Sequence, residues 1–167
     1  RDGTVPTFTA PAEWPEALTL QWSIPVGRGD SSPVLVGNRL YLFAREGENE
    51  TLLAVDANNG KVVWKDSYPA PWTTCTYNDE LGRYVGAGTL GYNGNAPKAT
   101  PTVWNGRVYT YGVSGALSSV NVNNGELIWR KPPPAVQGAP MVGSAMSPLI
   151  DGNLLFVHLP GAQRAIK

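Results

Sequence analysis

The chain has 167 residues, with 13 Lys and Arg balanced by 13 Asp and Glu and only 16% charged residues, which argues against a polybasic nucleic-acid footprint or a basic membrane anchor. Apolar residues reach 42%, ample for a packed core, while 19 Gly and 15 Pro break long helices and suit short strands joined by turns. A single cysteine, Cys75, excludes an internal disulfide and a cysteine zinc cage, and no run approaches the ~18 apolar residues of a membrane-spanning helix.

The first segment, 1–31, opens at Arg1 rather than Met, and removal of a signal peptide is the expectation. Within it Leu18-Thr19-Leu20-Gln21-Trp22-Ser23-Ile24 reads as a closing strand ending near an aromatic anchor, Trp22. Arg28-Gly29-Asp30 matches an adhesion tripeptide by letter and is read as a chance match in a glycine-rich approach to Ser31-Ser32-Pro33.

From residue 32 the chain repeats. Ser32-Pro33 to Tyr41, Thr100-Pro101 to Tyr109 and Ser147-Pro148 to Phe156 share a proline-to-aromatic gap of 8 residues. In each copy a short apolar strand follows the proline, a Gly-Asn or Asn-Gly turn reverses it, and a second strand returns to the aromatic. Two copies continue into a second block, Leu52 to Trp64 and Leu117 to Trp129, read as a third strand, a turn at Asn59-Gly60 or Asn124-Gly125, and a fourth strand ending in tryptophan. Glycine supplies the positive φ in these turns, a bulged hairpin of three to five residues is expected, and Asp56 or Asn121 is placed to hold turn amides through its side chain.

Pro101 precedes Pro148 by 47 residues, the length of a four-stranded propeller blade, and it follows Pro33 by 68. Most of the excess falls in an insertion, residues 66–99, rich in Tyr68, Trp72, Tyr77, Tyr84 and Tyr92 and in glycine. The expected organisation is therefore an N-terminal segment and closing strand over 1–31, a blade over 32–65, the insertion over 66–99, a blade over 100–131, and the start of a third blade over 147–167. The fold class expected is all-β, a propeller of four-stranded antiparallel blades whose Trp22, Trp64 and Trp129 plug the seams between neighbours. At 47 residues per blade the chain allows about three and a half, an incomplete ring whose remaining blades belong to a longer chain.

Ala54-x-Asp56-x-x-Asn59-Gly60-Lys61-x-x-Trp64 resembles the tryptophan-docking motif of the pyrroloquinoline-quinone (PQQ) type β-propeller repeat, with Asn-Gly where that family usually has Thr-Gly. The second copy departs further, carrying Ser119 and Asn121 in place of the usual Ala and Asp. The opening, through Trp14-Pro15, Leu20-Gln21-Trp22 and Ser31-Ser32-Pro33, resembles secreted bacterial members of the BamB-like group. What that resemblance implies is a periplasmic or extracellular, non-catalytic propeller that binds protein partners as a scaffold or as a subunit of an envelope assembly. The same repeat occurs in quinoprotein alcohol dehydrogenases, so the alternative it implies is an enzyme dependent on PQQ and calcium whose site residues lie mostly outside this chain. Such a site calls for oxygen ligands around calcium, an aspartate base, a cation near the quinone and commonly an adjacent-cysteine disulfide. One cysteine and no convincing acidic cluster favour the reading without a cofactor.

Among individual residues, the insertion supplies the candidate interaction surface, Tyr68, Trp72, Tyr77, Tyr92 and Lys98, against the plainer reading of a packed cover over a blade edge with a solvated lysine. Glu46, Glu48 and Glu50 alternate along a hairpin tip and read as solvated, and Asn49-Glu50-Thr51 is a formal glycosylation acceptor. His158 reads as a half-buried strand residue and Cys75 as a packed thiol. No Gly-x-Ser-x-Gly elbow occurs, so no catalytic residue is assigned.

Overall fold

The computed structural model describes residues 9–71, 74–78, 83–88, 95–133, 143–159 and 162–166. Every regular element among them is a strand. The first sheet contains β1 (Val34–Val36), β2 (Arg39–Glu46), β3 (Asn49–Asp56) and β4 (Val62–Pro69), paired antiparallel in chain order. A separate hairpin, β5 (Thr74–Asn78) with β6 (Arg83–Gly88), follows within the insertion. The second sheet repeats the first as β7 (Thr102–Trp104), β8 (Arg107–Tyr111), β9 (Leu117–Asn121) and β10 (Leu127–Lys131). A third follows with β11 (Leu149–Asp151), β12 (Leu154–Leu159) and β13 (Ala162–Ile166). These sheets are propeller blades that do not close into a ring. Because β4 runs on to Pro69, residues 66–69 belong to the first sheet and not to the insertion.

The repeat dictates this geometry through its turns. At Asn59-Gly60 and Asn124-Gly125 the glycines sit at φ 74° and 73°, a conformation that costs an L side chain about 1–2 kcal/mol. Each third-to-fourth-strand turn is tied by matching bonds: the Asp56 and Asn121 side chains accept from the amides of Asn58 and Asn123, both at 2.9 Å. The ladder then slips between Ala54 and Val55 and between Leu127 and Trp129, so Val63 and Ile128 are bulge residues and the tryptophans turn inward.

The blades pack face to face. Tyr41, Phe43, Leu52, Ala54, Trp64 and Tyr68 of the first sheet meet Val108, Ala116 and Val120 around the second, and a separate core joins Tyr111 and Leu117 to Leu155 and Val157. Each fully buried Phe or Leu here contributes about 1.5–3 kcal/mol of transfer free energy. The innermost strands lie side by side, β1 against β7 and β7 against β11. The Ser/Thr before each proline links them: the Ser32 amide donates to Thr100 Oγ1 at 3.2 Å, and the Thr100 amide donates to Ser147 Oγ at 3.0 Å. Proline leaves its own position without a donor, so the residue ahead of it carries the bond from blade to blade.

Residues 18–24, expected as a strand, run without a ladder partner, and Leu18 and Leu20 stand 89% and 79% exposed. Its tryptophan is anchored, with Trp22 Nε1 donating to the Ala57 carbonyl at 2.9 Å, and Ile24 lies beside Gly60.

Candidate functional site

The tryptophans are seated alike. Trp22 lies on Gly60 of the first blade and Trp64 on Gly125 of the second, so closely that a Cβ on either glycine would come within 2.6 and 2.5 Å of the ring. Trp64 Nε1 donates to the Val122 carbonyl at 3.2 Å and its ring meets that of Tyr41 at 5.9 Å between centroids. Trp129 packs on Tyr109 at 6.2 Å and borders an open cleft of about 480 Å³ toward the third sheet, lined also by Arg107, Asn153 and Leu155. Asn59 and Asn124 are spent within their own turns, each accepting an amide bond with its side-chain oxygen.

One end of the molecule gathers the polar chemistry. The β2–β3 tip, the two stems of the insertion and the β8–β9 loop meet there. Glu50 corrects the expectation of a solvated tip: it is fully buried. The β2–β3 ladder continues to Glu46 and Asn49, so Glu50 already lies one residue inside the strand, on the inward face with Leu52 and Ala54. Its carboxylate accepts from Tyr68 Oη at 2.6 Å and from the Val113 amide at 2.7 Å, which ties the first blade to the β8–β9 loop of the second. Burial pushes the Glu50 carboxyl up, opposed by those two bonds and by the charges of Arg45 and Arg130. Gly112 makes room for it, since a Cβ there would fall 2.1 Å from Glu50 Oε2.

Around this carboxylate stand further ionic groups. Arg130 lies over the Tyr68 ring at 3.9 Å, donates to Ser118 Oγ at 2.8 Å and pairs with Asp66 at 2.5 Å. Burial raises the Asp66 pKa as well, with Arg130 opposing, and the Tyr68 phenol is pushed far above its ordinary range by burial and by Glu50. Arg45 is 3% exposed and spans the insertion stems. Sequence reading missed the roles of Arg45, Glu50 and Arg130; for the first two the signal available was parity, because 41, 43 and 45 on β2 and 50, 52 and 54 on β3 lie on one face of the sheet.

Of the residues expected on the interaction surface, Tyr68 is buried in the seam at 6% exposure, so it holds two blades together instead of meeting a partner. Tyr77 lies on β5, and Trp72 and Tyr92 fall outside the described residues. Lys98 Nζ pairs with Asp30 at 3.4 Å and donates to the Ala96 carbonyl at 3.4 Å, with its side chain only 14% exposed, so it fastens an insertion stem to the approach segment. His158 is exposed on β12. Cys75 lies on β5.

A PQQ and calcium site does not fit these residues. Among the described residues no group of three or more His, Cys, Asp or Glu side chains is placed to hold a metal ion, and both oxygens of the buried Glu50 are already engaged within the protein.

A family model described as "Outer membrane protein assembly factor BamB" matches residues 16–166. The chain belongs to the BamB family. An outer membrane protein assembly factor BamB from Alkalilimnicola ehrlichii is 30% identical over 111 residues, and this match spans 66% of the chain and 24% of that relative's length. Among solved structures, BamB from Moraxella catarrhalis is 18% identical over 80% of the chain and 45% of its own, with a TM-score of 0.34. A quinohemoprotein alcohol dehydrogenase from Comamonas testosteroni is 18% identical over 78% of the chain and 17% of its own, with a TM-score of 0.48. These structural likenesses carry no argument about activity. No helix among the described residues is long and apolar enough to cross a membrane.

Proposed function

We propose that the chain is part of a non-catalytic propeller that acts on the periplasmic or extracellular side of a bacterial membrane as a protein-binding scaffold within an envelope assembly. The family match over residues 16–166 carries this reading. Three buried or partly buried ionic groups point the same way, because they join structure to structure: Glu50 to the next blade, Arg130 to Asp66, Lys98 to Asp30. Blades tied to one another in this way suit a platform, and the insertion with β5 and β6, carrying Trp72, Tyr77 and Tyr92, is its proposed recognition element.

The test places a photocrosslinking residue at position 77 in the full-length protein in its own host, with position 158 on β12 as control. Crosslinking to a component of the outer-membrane assembly machinery from 77 and not from 158 is the expected outcome. Equal labelling from both positions would overturn the assignment of the surface. Saturable PQQ uptake with calcium, followed by alcohol-dependent dye reduction, would overturn the scaffold reading itself and favour a dehydrogenase.

A further inference from the structure

Three parts of the chain converge on residue 45. Its backbone exchanges hydrogen bonds with Arg28, at 2.9 Å from the Arg28 amide and 2.7 Å from its own, so the N-terminal approach runs beside β2. Gly27 has no space for a side chain, since a Cβ would fall 1.9 Å from the Arg45 carbonyl oxygen. The guanidinium then reaches both stems of the insertion: Nε donates to the Asn95 carbonyl at 2.5 Å and Nη2 to the Ala70 carbonyl at 2.6 Å. Ala70 is fixed a second time, its amide donating to the Glu48 carbonyl at 2.9 Å.

Burying a guanidinium is costly unless its charge is met and its donors are used. Across the ladder Arg45 stands opposite Glu50 on β3, both are buried, and the Arg45 charge draws the Glu50 pKa down against the effect of burial. Two of the donors are used on the carbonyls of residues 25 positions apart, while Nη1 has no partner. A planar fork spans two carbonyls from one fixed side chain in a way that the point charge of a lysine does not. A residue serving only to fill the core would have been apolar at this position, like Tyr41 and Phe43 on the same face.

We propose that Arg45 is the positioning residue of the insertion. Its guanidinium closes the base of the excursion that carries β5 and β6, and Glu50 supplies the counter-charge that lets it be buried there. The proposal deepens the reading of the insertion as the recognition element, but the clamp itself is measured without any partner.

The experiment is hydrogen exchange on the full chain, comparing the wild type with Arg45→Lys and Arg45→Gln. The amides of β5 and β6 report the insertion, and those of residues 52–55 in β3 report the first sheet. Because each bond from a charged donor is worth about tenfold or more in an opening equilibrium, exchange in β5 and β6 is expected to accelerate at least about tenfold in both variants. Residues 52–55 should change by less than about threefold, as expected of core amides whose opening is global. Arg45→Lys keeps the charge opposite Glu50, so it separates the fork from the charge and serves where Arg45→Gln does not fold. Unchanged exchange in β5 and β6 would overturn the proposal. So would parallel acceleration in β3, or unfolding of both variants, since Arg45 would then be holding the sheet and not the insertion. A failed crosslink from position 77 alongside accelerated exchange would remove the recognition reading and leave the clamp standing.

Discussion

Gly106 and Gly125 share one backbone conformation, φ 73°, and differ in what stands next to them. A Cβ on Gly106 would meet nothing within 4 Å, whereas on Gly125 it would sit 2.5 Å from Trp64 Cε3 and 2.7 Å from Cδ2. Alanine at either site therefore incurs the same left-handed backbone cost, about 1–2 kcal/mol. At Gly125 it also drives a methyl into an indole that cannot retreat, because Trp64 is 9% exposed, hydrogen-bonded to the Val122 carbonyl and packed on Tyr41. Overpacking of that kind adds about 1–3 kcal/mol, so Gly125→Ala should lose about 2 kcal/mol more than Gly106→Ala. Urea titration followed by tryptophan fluorescence measures both, and the difference between the two variants isolates the seat of the indole from the turn that carries it. In a Trp64→Ala background the Gly125→Ala penalty should fall to that of Gly106→Ala, a coupling that a double-mutant cycle reads directly. Equal losses for the two single variants, or additivity in the double, would refute the claim that the glycine is kept for the tryptophan.

The Glu50 carboxyl is raised in the folded chain above its ordinary value of 4.5, so it stays protonated in the folded state over a pH range in which the unfolded chain has released its proton. Stability should therefore fall as pH rises from about 4.5 through the folded value and then level off, and Glu50→Gln should flatten that segment of a stability-against-pH curve measured by denaturant titration. Ser147→Ala leaves the buried Thr100 amide without its acceptor and should cost about 1–2 kcal/mol by the same titration, while Ser147→Thr should recover most of it. Arg130→Met removes a partly buried partner of Asp66 and the cation over Tyr68; with side chains 20% and 13% exposed, a loss of about 2 kcal/mol in thermal or urea unfolding is expected, and Arg130→Lys should restore less than half.

The architecture was legible because the repeat writes it several times over. A proline and an aromatic eight positions later mark two strands and their turn, and Asn-Gly ahead of a tryptophan marks the bulged return, so each copy checks the others. What failed was any feature whose partner lies in another blade. The Glu46-Gly47-Glu48 string looks like a solvated tip because local pattern sees only the turn. Glu50 is instead buried by a loop 63 residues further on, where the Val113 amide arrives. Tyr68 misled in the same way: its surroundings in sequence are an aromatic loop, yet β4 outlasts Trp64 by five residues and carries the ring into the seam. Residues 18–24 show the converse, a sequence with β character that forms no ladder and rests on the first blade through its indole.

These misses share a physical cause. In a propeller the ladder within a blade is local and therefore written in neighbouring residues, whereas the seam between blades brings together positions one repeat apart. Charge enters the seam because the blade faces must also be fixed in rotation about their common contact, which apolar packing alone does not direct. Here the Glu50 carboxylate and the Arg130 guanidinium each bond both to their own sheet's neighbourhood and to the adjoining one, Glu50 through Tyr68 and Val113, Arg130 through Ser118 and Asp66. A charged residue buried or partly buried on a third or fourth strand is thus the mark of a seam, on the parity of Leu52 and Ala54 for Glu50 and on the face opposite Trp129 for Arg130. Arg45, on the parity of Tyr41 and Phe43 at the end of a second strand, marks a different junction, the one at which the insertion leaves the blade.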